Sequence, residues 1–468
     1  MKKLYRLFIY ILPLVLCFSY FPVISLGSNE TMNFELSLPL LWLAMFDVLG
    51  FSMVCAKYRA KIFSKIFGSF LWWLFPFFAT FSIAWSLNPL RGLLTAGVMW
   101  LLLFAVLWFF ELRENLDDSF WKIFWRWFFG AALFSCIWCV VQCILDVAGV
   151  PQETSLLCDG CIYAMFGFPH PNGFSIEPQF MGNLLIAPIL VSVYFYFKNK
   201  NIKYLVLAFI FGSTLFLTFS RGAIYAVVAG LIFLFSFVVS QTKKTEMKKA
   251  FFSSLKVLAV FVVSFIFALN LQGIFAAVSP TSDTYADGVA KVLNHLSLGL
   301  VDVKSGGEKV PEGSDETGEG EPVNDSPVEN SQEHVENSAF DGYVAESTDT
   351  RIRLTRAALN VWKKDFRTVA FGVGFGGAGQ ALYDNGLSPA PKEIVQNEYA
   401  ELLLETGVVG ISLFGVIVIL AIRIALKNRK YAGLILALLI AYGITFLFFS
   451  GLPNALQIVL LPGLLILL

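Results

Sequence analysis

Apolar residues fill this chain in long blocks, and most polar residues gather in the short stretches between them. Runs long enough to cross about 30 Å of hydrocarbon, roughly 20 residues each, fall near 7–27, 36–56, 66–86, 90–110, 124–148, 176–197, 203–219, 222–240, 255–275, 402–426, 431–449 and 452–468. The pattern predicts an all-α, polytopic integral membrane protein with about twelve transmembrane helices. Ser220-Arg221-Gly222 separates the seventh run from the eighth, because an arginine at mid-bilayer depth would cost at least ~2.5 kcal/mol. One long polar stretch, between the ninth and tenth runs, breaks the rhythm. The expected organisation is therefore helices one to nine in 1–275, a loop in 276–401, and helices ten to twelve in 402–468.

Loop cations orient these spans. Lys2, Lys3 and Arg6 precede the first; Lys57, Arg59, Lys61 and Lys65 follow the second; Arg113 and Lys122 follow the fourth. Lys198, Lys200 and Lys203, then Lys243, Lys244, Lys248 and Lys249, then Lys427, Arg429 and Lys430 follow the sixth, eighth and tenth. Every second loop is basic. A multi-pass protein of the cytoplasmic (inner) membrane with both termini cytoplasmic is expected, which makes the 276–401 loop extracytoplasmic. Arg91 and Arg221 then lie at the outer face, against the rule, and need a reason. The basic, apolar amino terminus has no small-residue cleavage site after it, so it reads as a retained first span.

Composition sharpens this picture. A hydrophobic share of 57% and a charged share of 15% depart from soluble domains, in which about a quarter of residues are charged. The formal net charge of +0 hides signs segregated along the chain and says nothing about a partner, but no basic face for a nucleic acid appears outside short loops and one helix. Ion-coupled transporters place ionisable groups within their spans, whereas Asp47 stands almost alone at depth here. A transporter or flippase of lipid-linked glycans is therefore the alternative reading rather than the leading one.

Within the long loop, 302–349 is rich in Glu, Asp, Gly, Ser, Pro and Asn, a composition that predicts a disordered acidic insertion. The next part, 350–400, is expected to hold an amphipathic helix and a glycine-rich turn. At 3.6 residues per turn, Leu354, Ala358, Val361 and Trp362 share one face, and Arg353, Arg356, Asn360 and Lys363 another. Phe371-Gly372-Val373-Gly374-Phe375-Gly376-Gly377-Ala378-Gly379 follows. Exposed amides on such a turn, with arginines beside it, can hold a diphosphate. The same pattern also fits a plain interfacial helix with solvated cations.

Two shorter stretches hold further candidates. Cys158-Asp159-Gly160-Cys161 precedes Phe168-Pro169-His170-Pro171-Asn172-Gly173 in an external loop. That cysteine spacing suits a small disulfide or two thiols, and no second pair completes a metal set. Cys136, Cys139 and Cys143 recur at helical spacing and read as packing residues. Ser175-Ile176-Glu177-Pro178-Gln179 opens the sixth span, with Glu177 favoured by the helix dipole and left at the outer surface. Glu398, Glu401 and Glu405 recur at helical spacing at the start of the tenth.

The order of Ser220-Arg221-Gly222-Ala223, a long external loop, an arginine-led helix ending in a glycine-rich turn, and Asn397-Glu398-Tyr399 before Leu-Leu-Glu-Thr-Gly-Val-Val-Gly resembles the O-antigen ligase and O-antigen polymerase superfamily. The likeness covers mainly 170–240 and 349–426. It implies an inverting, metal-independent glycosyltransferase without cofactor. Such an enzyme moves glycan from an undecaprenyl-diphosphate-linked donor to a glycan or lipid-glycan acceptor at the outer membrane face, with membrane lipid around it, in surface polysaccharide synthesis. The resemblance also implies that Arg221 and Arg351 hold the donor diphosphate, with Arg353 and Arg356 as neighbours able to replace them. Guanidinium suits that role through its permanent charge and paired donors. Ligases of this kind carry a histidine where this chain has Gln396. Glutamine cannot take a proton near neutral pH, so a polymerase is favoured over a ligase. Catalytic work is then expected from Glu398, with Gln396 hydrogen-bonding the acceptor and Glu177 as the competing base.

Overall fold

In lipid, an uninterrupted apolar segment satisfies its backbone groups by closing them into a helix, and this chain does so almost throughout. A computed structural model describes residues 1–19, 23–28, 33–61, 63, 66, 68, 70–148, 150, 169–278, 284–297, 339–427, 431–450 and 456–466. The first helix α1 (Lys2–Cys17) is followed by a two-stranded antiparallel hairpin, β1 (Val23–Ser28) and β2 (Asn33–Ser37). Then come α2 (Leu38–Tyr58), α3 (Leu74–Ser82), α4 (Pro89–Glu111), α5 (Asp118–Val147), α6 (Pro178–Asn199), α7 (Lys203–Leu217), α8 (Arg221–Gln241) and α9 (Met247–Val278). The outer segment carries α10 (Tyr285–Leu296), α11 (Ala339–Trp362), α12 (Phe366–Phe371) and α13 (Ala378–Asp384). The chain returns through α14 (Glu398–Lys427), α15 (Ala432–Thr445) and α16 (Leu456–Leu465).

The all-α polytopic class stands, although twelve full-length spans are not found among the described residues. Seven helices among the described residues are long and apolar enough to cross a membrane: α2, α4, α5, α6, α8, α14, and α9 with the short turn before it. Five expected spans coincide with the shorter α1, α3, α7, α15 and α16. Local chemistry shortens some of them: tight 3₁₀ turns flank α3, and α7 stops where Phe219 takes a positive φ of 51°. α14 contains a break at Gly407 (φ 64°, ψ −170°), which sets Glu398–Thr406 apart from the membrane-crossing remainder. α11 begins at Ala339, eleven residues before the expected boundary. Phe340, Tyr343 and Val344 already recur there at helical spacing. The acidic stretch up to residue 338, and Cys158 with Cys161, lie outside the described residues.

α6 is apolar on every side, and such a helix belongs in the middle of a bundle; it is buried along nearly its whole length, packed against α7, α8 and α15. Cys136, Cys139 and Cys143 are buried free thiols in the core, as their spacing suggests. The basic loops gather at one end. Arg6 pairs with Asp117, and Lys57 donates to Glu114 at 3.0 Å. Lys200 donates to Ser253 at 2.9 Å, and Lys198 lies 4.7 Å over the Tyr431 ring. Trp125 against Phe195 ties the start of α5 to the end of α6 at that same end. The starts of α4, α6, α8 and α14 occupy the opposite end.

Candidate active site

At that opposite end, five chain segments meet around Arg351. Its Nε donates to Gln396 Oε1 at 3.2 Å, and its Nη2 donates to Gln179 Oε1 at 3.3 Å. Gln179 Nε2 in turn donates to the Phe448 carbonyl at 2.7 Å. The turn after α15 is fixed again where the Glu398 amide donates to the Phe446 and Phe449 carbonyls at 2.9 and 3.0 Å. Arg221, buried at the first position of α8, belongs to the same cluster. A Cβ on its neighbour Gly222 would stand 3.0 Å from Phe448 Cβ, and one on Gly182 of α6 would stand 2.6 Å from Ser220 Cβ. The starts of α6, α8 and α14, the 446–450 turn and the arginine of α11 thus form one site.

Each residue of Asn397-Glu398-Tyr399 has a positional task. Asn397 Oδ1 accepts from the Ala400 amide at 3.2 Å and caps α14. Tyr399 donates to the Gly443 carbonyl at 2.8 Å. Gln396 just before them adopts φ 58°, a left-handed conformation that a non-glycine side chain holds only where its surroundings compel it. Here the bond to Arg351 is one of those constraints.

The expected acids separate. Glu398, Glu401 and Glu405 are all buried, but they do not share one role. Glu401 stands 3.7 Å from Arg91 Nη2 and accepts from the Val395 amide at 3.2 Å; Glu405 accepts from the Ala378 amide at 3.3 Å. This explains Arg91, which violates the charge rule because it is the counter-ion of a buried glutamate. Glu177 keeps an exposed edge at the site rim. Desolvation raises its carboxyl pKa, and the charge of Arg351 opposes that rise. Arg353 and Arg356 lie exposed on α11, away from the faces that Leu354, Ala357, Ala358 and Val361 bury.

The glycine-rich turn is not an open anion cradle. The Val373 and Gly374 amides donate to the Leu404 and Glu405 carbonyls at 2.9 and 3.0 Å, and the Phe375 amide donates to Ser82 Oγ at 3.1 Å. A Cβ on Gly376 would stand 2.3 Å from the Gly92 nitrogen. The glycines let α4, α14 and the turn come into backbone contact, and they enclose Glu405. Their amides are spent on protein partners, which corrects the expectation that they bind diphosphate.

His170 is buried, with Nε2 2.5 Å from the Thr218 carbonyl and its ring beside Phe219. A carbonyl only accepts, so Nε2 carries the proton. Burial lowers the imidazole pKa to about 4. Gln142 and Gln272, two residues that hydropathy reading passes over, hold this loop from below. Gln142 accepts from the Gly173 amide at 2.9 Å, and Gln272 donates to the Pro169 carbonyl at 2.8 Å. Gln179 was equally invisible as a site residue, because a glutamine in the first turn of a helix gives no signal. Ser220 Oγ and Ser450 Oγ are buried without a partner among the described residues, and such groups call for a polar ligand or water.

The apolar bundle defines an integral membrane protein with a polar, arginine-bearing cluster at one end. Residues 204–415, which include Arg221, Arg351, the glycine knot and Glu398, match the sequence model of the O-antigen ligase family. This match supports a likeness to the O-antigen ligase and polymerase superfamily, whose members are membrane enzymes that process lipid-linked glycans. No curated protein matches it.

Proposed function

We propose that the protein transfers oligosaccharide from an undecaprenyl-diphosphate carrier to a glycan hydroxyl at the outer face of the inner membrane, as a polymerase rather than a ligase. The observation that carries this reading is the clamped guanidinium of Arg351 at the same end of the bundle as the buried Arg221. Two fixed cations at one end of the bundle suit a diphosphate, whose negative charge grows as it departs. Gln396 in place of a histidine supports polymerase over ligase. Loop charge supports an orientation with both termini cytoplasmic and the site outside.

In the proposed step, the acceptor oxygen bonds to the anomeric carbon from the face opposite the carrier. The bond from that carbon to the diphosphate oxygen breaks, and its electron pair leaves with the diphosphate. This inverts the centre and requires no metal. The hydroxyl proton goes to a carboxylate. Of the two candidates Glu177 fits better than Glu398: it is exposed at the site rim, lies within electrostatic reach of Arg351, and has a carboxyl pKa raised by desolvation. Glu398, buried and anchored through its amide to the 446–449 turn, fits a positioning role. The deciding experiment is turnover of an undecaprenyl-diphosphate oligosaccharide by purified protein. Chain extension that falls strongly in both Arg221→Lys and Arg351→Lys supports the proposal. Transport of the intact donor without glycosidic bond formation would favour the flippase alternative and overturn it.

A further inference from the structure

A groove of about 510 Å³ runs along the outside of the bundle between α1 and α5. Arg126, Gly130 and Phe134 line one wall at i, i+4 and i+8 of α5, with Trp127 beside them, and Leu14 and Phe18 of α1 face them. The order along the groove is a cation, a gap and a ring. Gly130 makes the gap: a Cβ there would meet nothing within 4 Å. Phe18 and Phe134, with ring centroids 6.1 Å apart, close the far end.

Arg126 is the unusual member. It lies eight residues into α5, about 12 Å along the helix axis from Asp118, and it is exposed on a span long and apolar enough to cross the membrane. No described residue pairs with it, and the groove lining contains no acid. A cation at that depth is costly unless its side chain reaches the interface or meets an anion there. The span from Arg126 to Phe134 is also about 12 Å, which suits the upper part of an acyl chain below its phosphate.

We infer that this groove is a binding site for an anionic phospholipid. Arg126 holds the phosphate and one acyl chain lies over Gly130 as far as the Phe18–Phe134 pair. The lipid belongs to the leaflet at the α5 amino terminus, the end where the basic loops gather. The lining carries one cation and no acid, so charge favours the anionic class over a zwitterionic headgroup.

The test is native mass spectrometry of the purified full chain titrated with dioleoyl phosphatidylglycerol or dioleoyl phosphatidylcholine. The wild type is expected to bind phosphatidylglycerol about tenfold more tightly, the scale of one charge-assisted contact. Arg126→Gln should abolish that preference, and Arg126→Lys should keep most of it. Gly130→Phe, which fills the gap and leaves the charge, should weaken binding of both lipids. Equal binding of the two lipids by the wild type overturns the inference. So does wild-type phosphatidylglycerol binding by either folded variant, Arg126→Gln or Gly130→Phe.

Discussion

Arg351 is held on two sides by amide oxygens, and that arrangement sets what its substitution will do. Lysine keeps the charge but cannot bond Gln396 and Gln179 while also presenting paired donors to a phosphate. Turnover by Arg351→Lys should fall about ten- to a hundredfold, the range of one or two lost charge-assisted bonds. Gln179 acts through Arg351 and is a positioning residue. Gln179→Met should raise the donor KM about tenfold while kcat changes less than about twofold. It should add little in an Arg351→Lys background, because both variants disturb the same contact. A purely structural role would lower kcat and folded yield together and leave KM alone. His170 gives a pH prediction. Its folded pKa of about 4 lies below the ordinary 6.5, so between those values the unfolded chain binds the proton that the folded chain refuses. That contribution to stability is complete above pH 6.5 and is lost as pH falls towards 4. Thermal melts from neutral to mildly acidic pH should therefore drop more steeply in wild type than in His170→Gln.

At the scale of elements, the glycine knot and the broken α14 show how far a sequence motif can be read. Hydropathy alone placed α4, α6, α8 and α9 correctly, because a run of apolar residues in lipid has one low-energy backbone solution. It placed the short helices less well, since their limits depend on turns such as Phe219 and on 3₁₀ segments that carry no hydropathy signal. Gly372 to Gly379 looked like a ligand cradle because local sequence cannot say what approaches a glycine. The approaching groups are Glu405, Ser82 and Gly92 of this same chain. Arg91 stood out as a charge at the wrong face, and its reason lay more than 300 residues away in Glu401. Arg221 and Arg351 were singled out through their family pattern, and the structure places both at one end of the bundle, whereas the amides that hold Arg351 gave no signal. Gly407 offers the matching test. Its φ of 64° suits glycine, and a Cβ there would stand 2.4 Å from the Ala370 carbonyl carbon. Gly407→Ala should destabilise the protein by at least about 1–3 kcal/mol and lower its melting temperature. Gly415→Ala, in open space on the same helix, should leave it unchanged.

For the whole molecule, the arrangement of ends carries the argument. Arg6, Lys57, Lys198 and Lys200 cluster with the ends of α1, α2, α5, α6 and α15, and the arginine site occupies the other end. Cations are retained on the cytoplasmic side because translocating them is unfavourable, so the site should face outward, where a lipid-linked glycan can meet its acceptor. The two arginines that the charge rule would not place at this end fit the proposal, since Arg91 is paired with Glu401 and Arg221 is proposed to hold the diphosphate. The acidic stretch enters the same picture through composition. That composition is the only ground for expecting it to be dispensable, and α11 begins at Ala339. Deleting 306–338 should therefore leave turnover within about twofold of wild type, because the entropy of closing a connection changes only slowly with its length. Orientation is tested with single cysteines in a variant whose native cysteines are replaced by serine. Asp384→Cys, exposed on α13, should react with a membrane-impermeant maleimide in intact spheroplasts. Lys248→Cys, exposed near the start of α9, should react only after the membrane is opened. The reverse labelling would put the arginine site on the cytoplasmic side, where the proposed transfer to an outer-face acceptor could not take place.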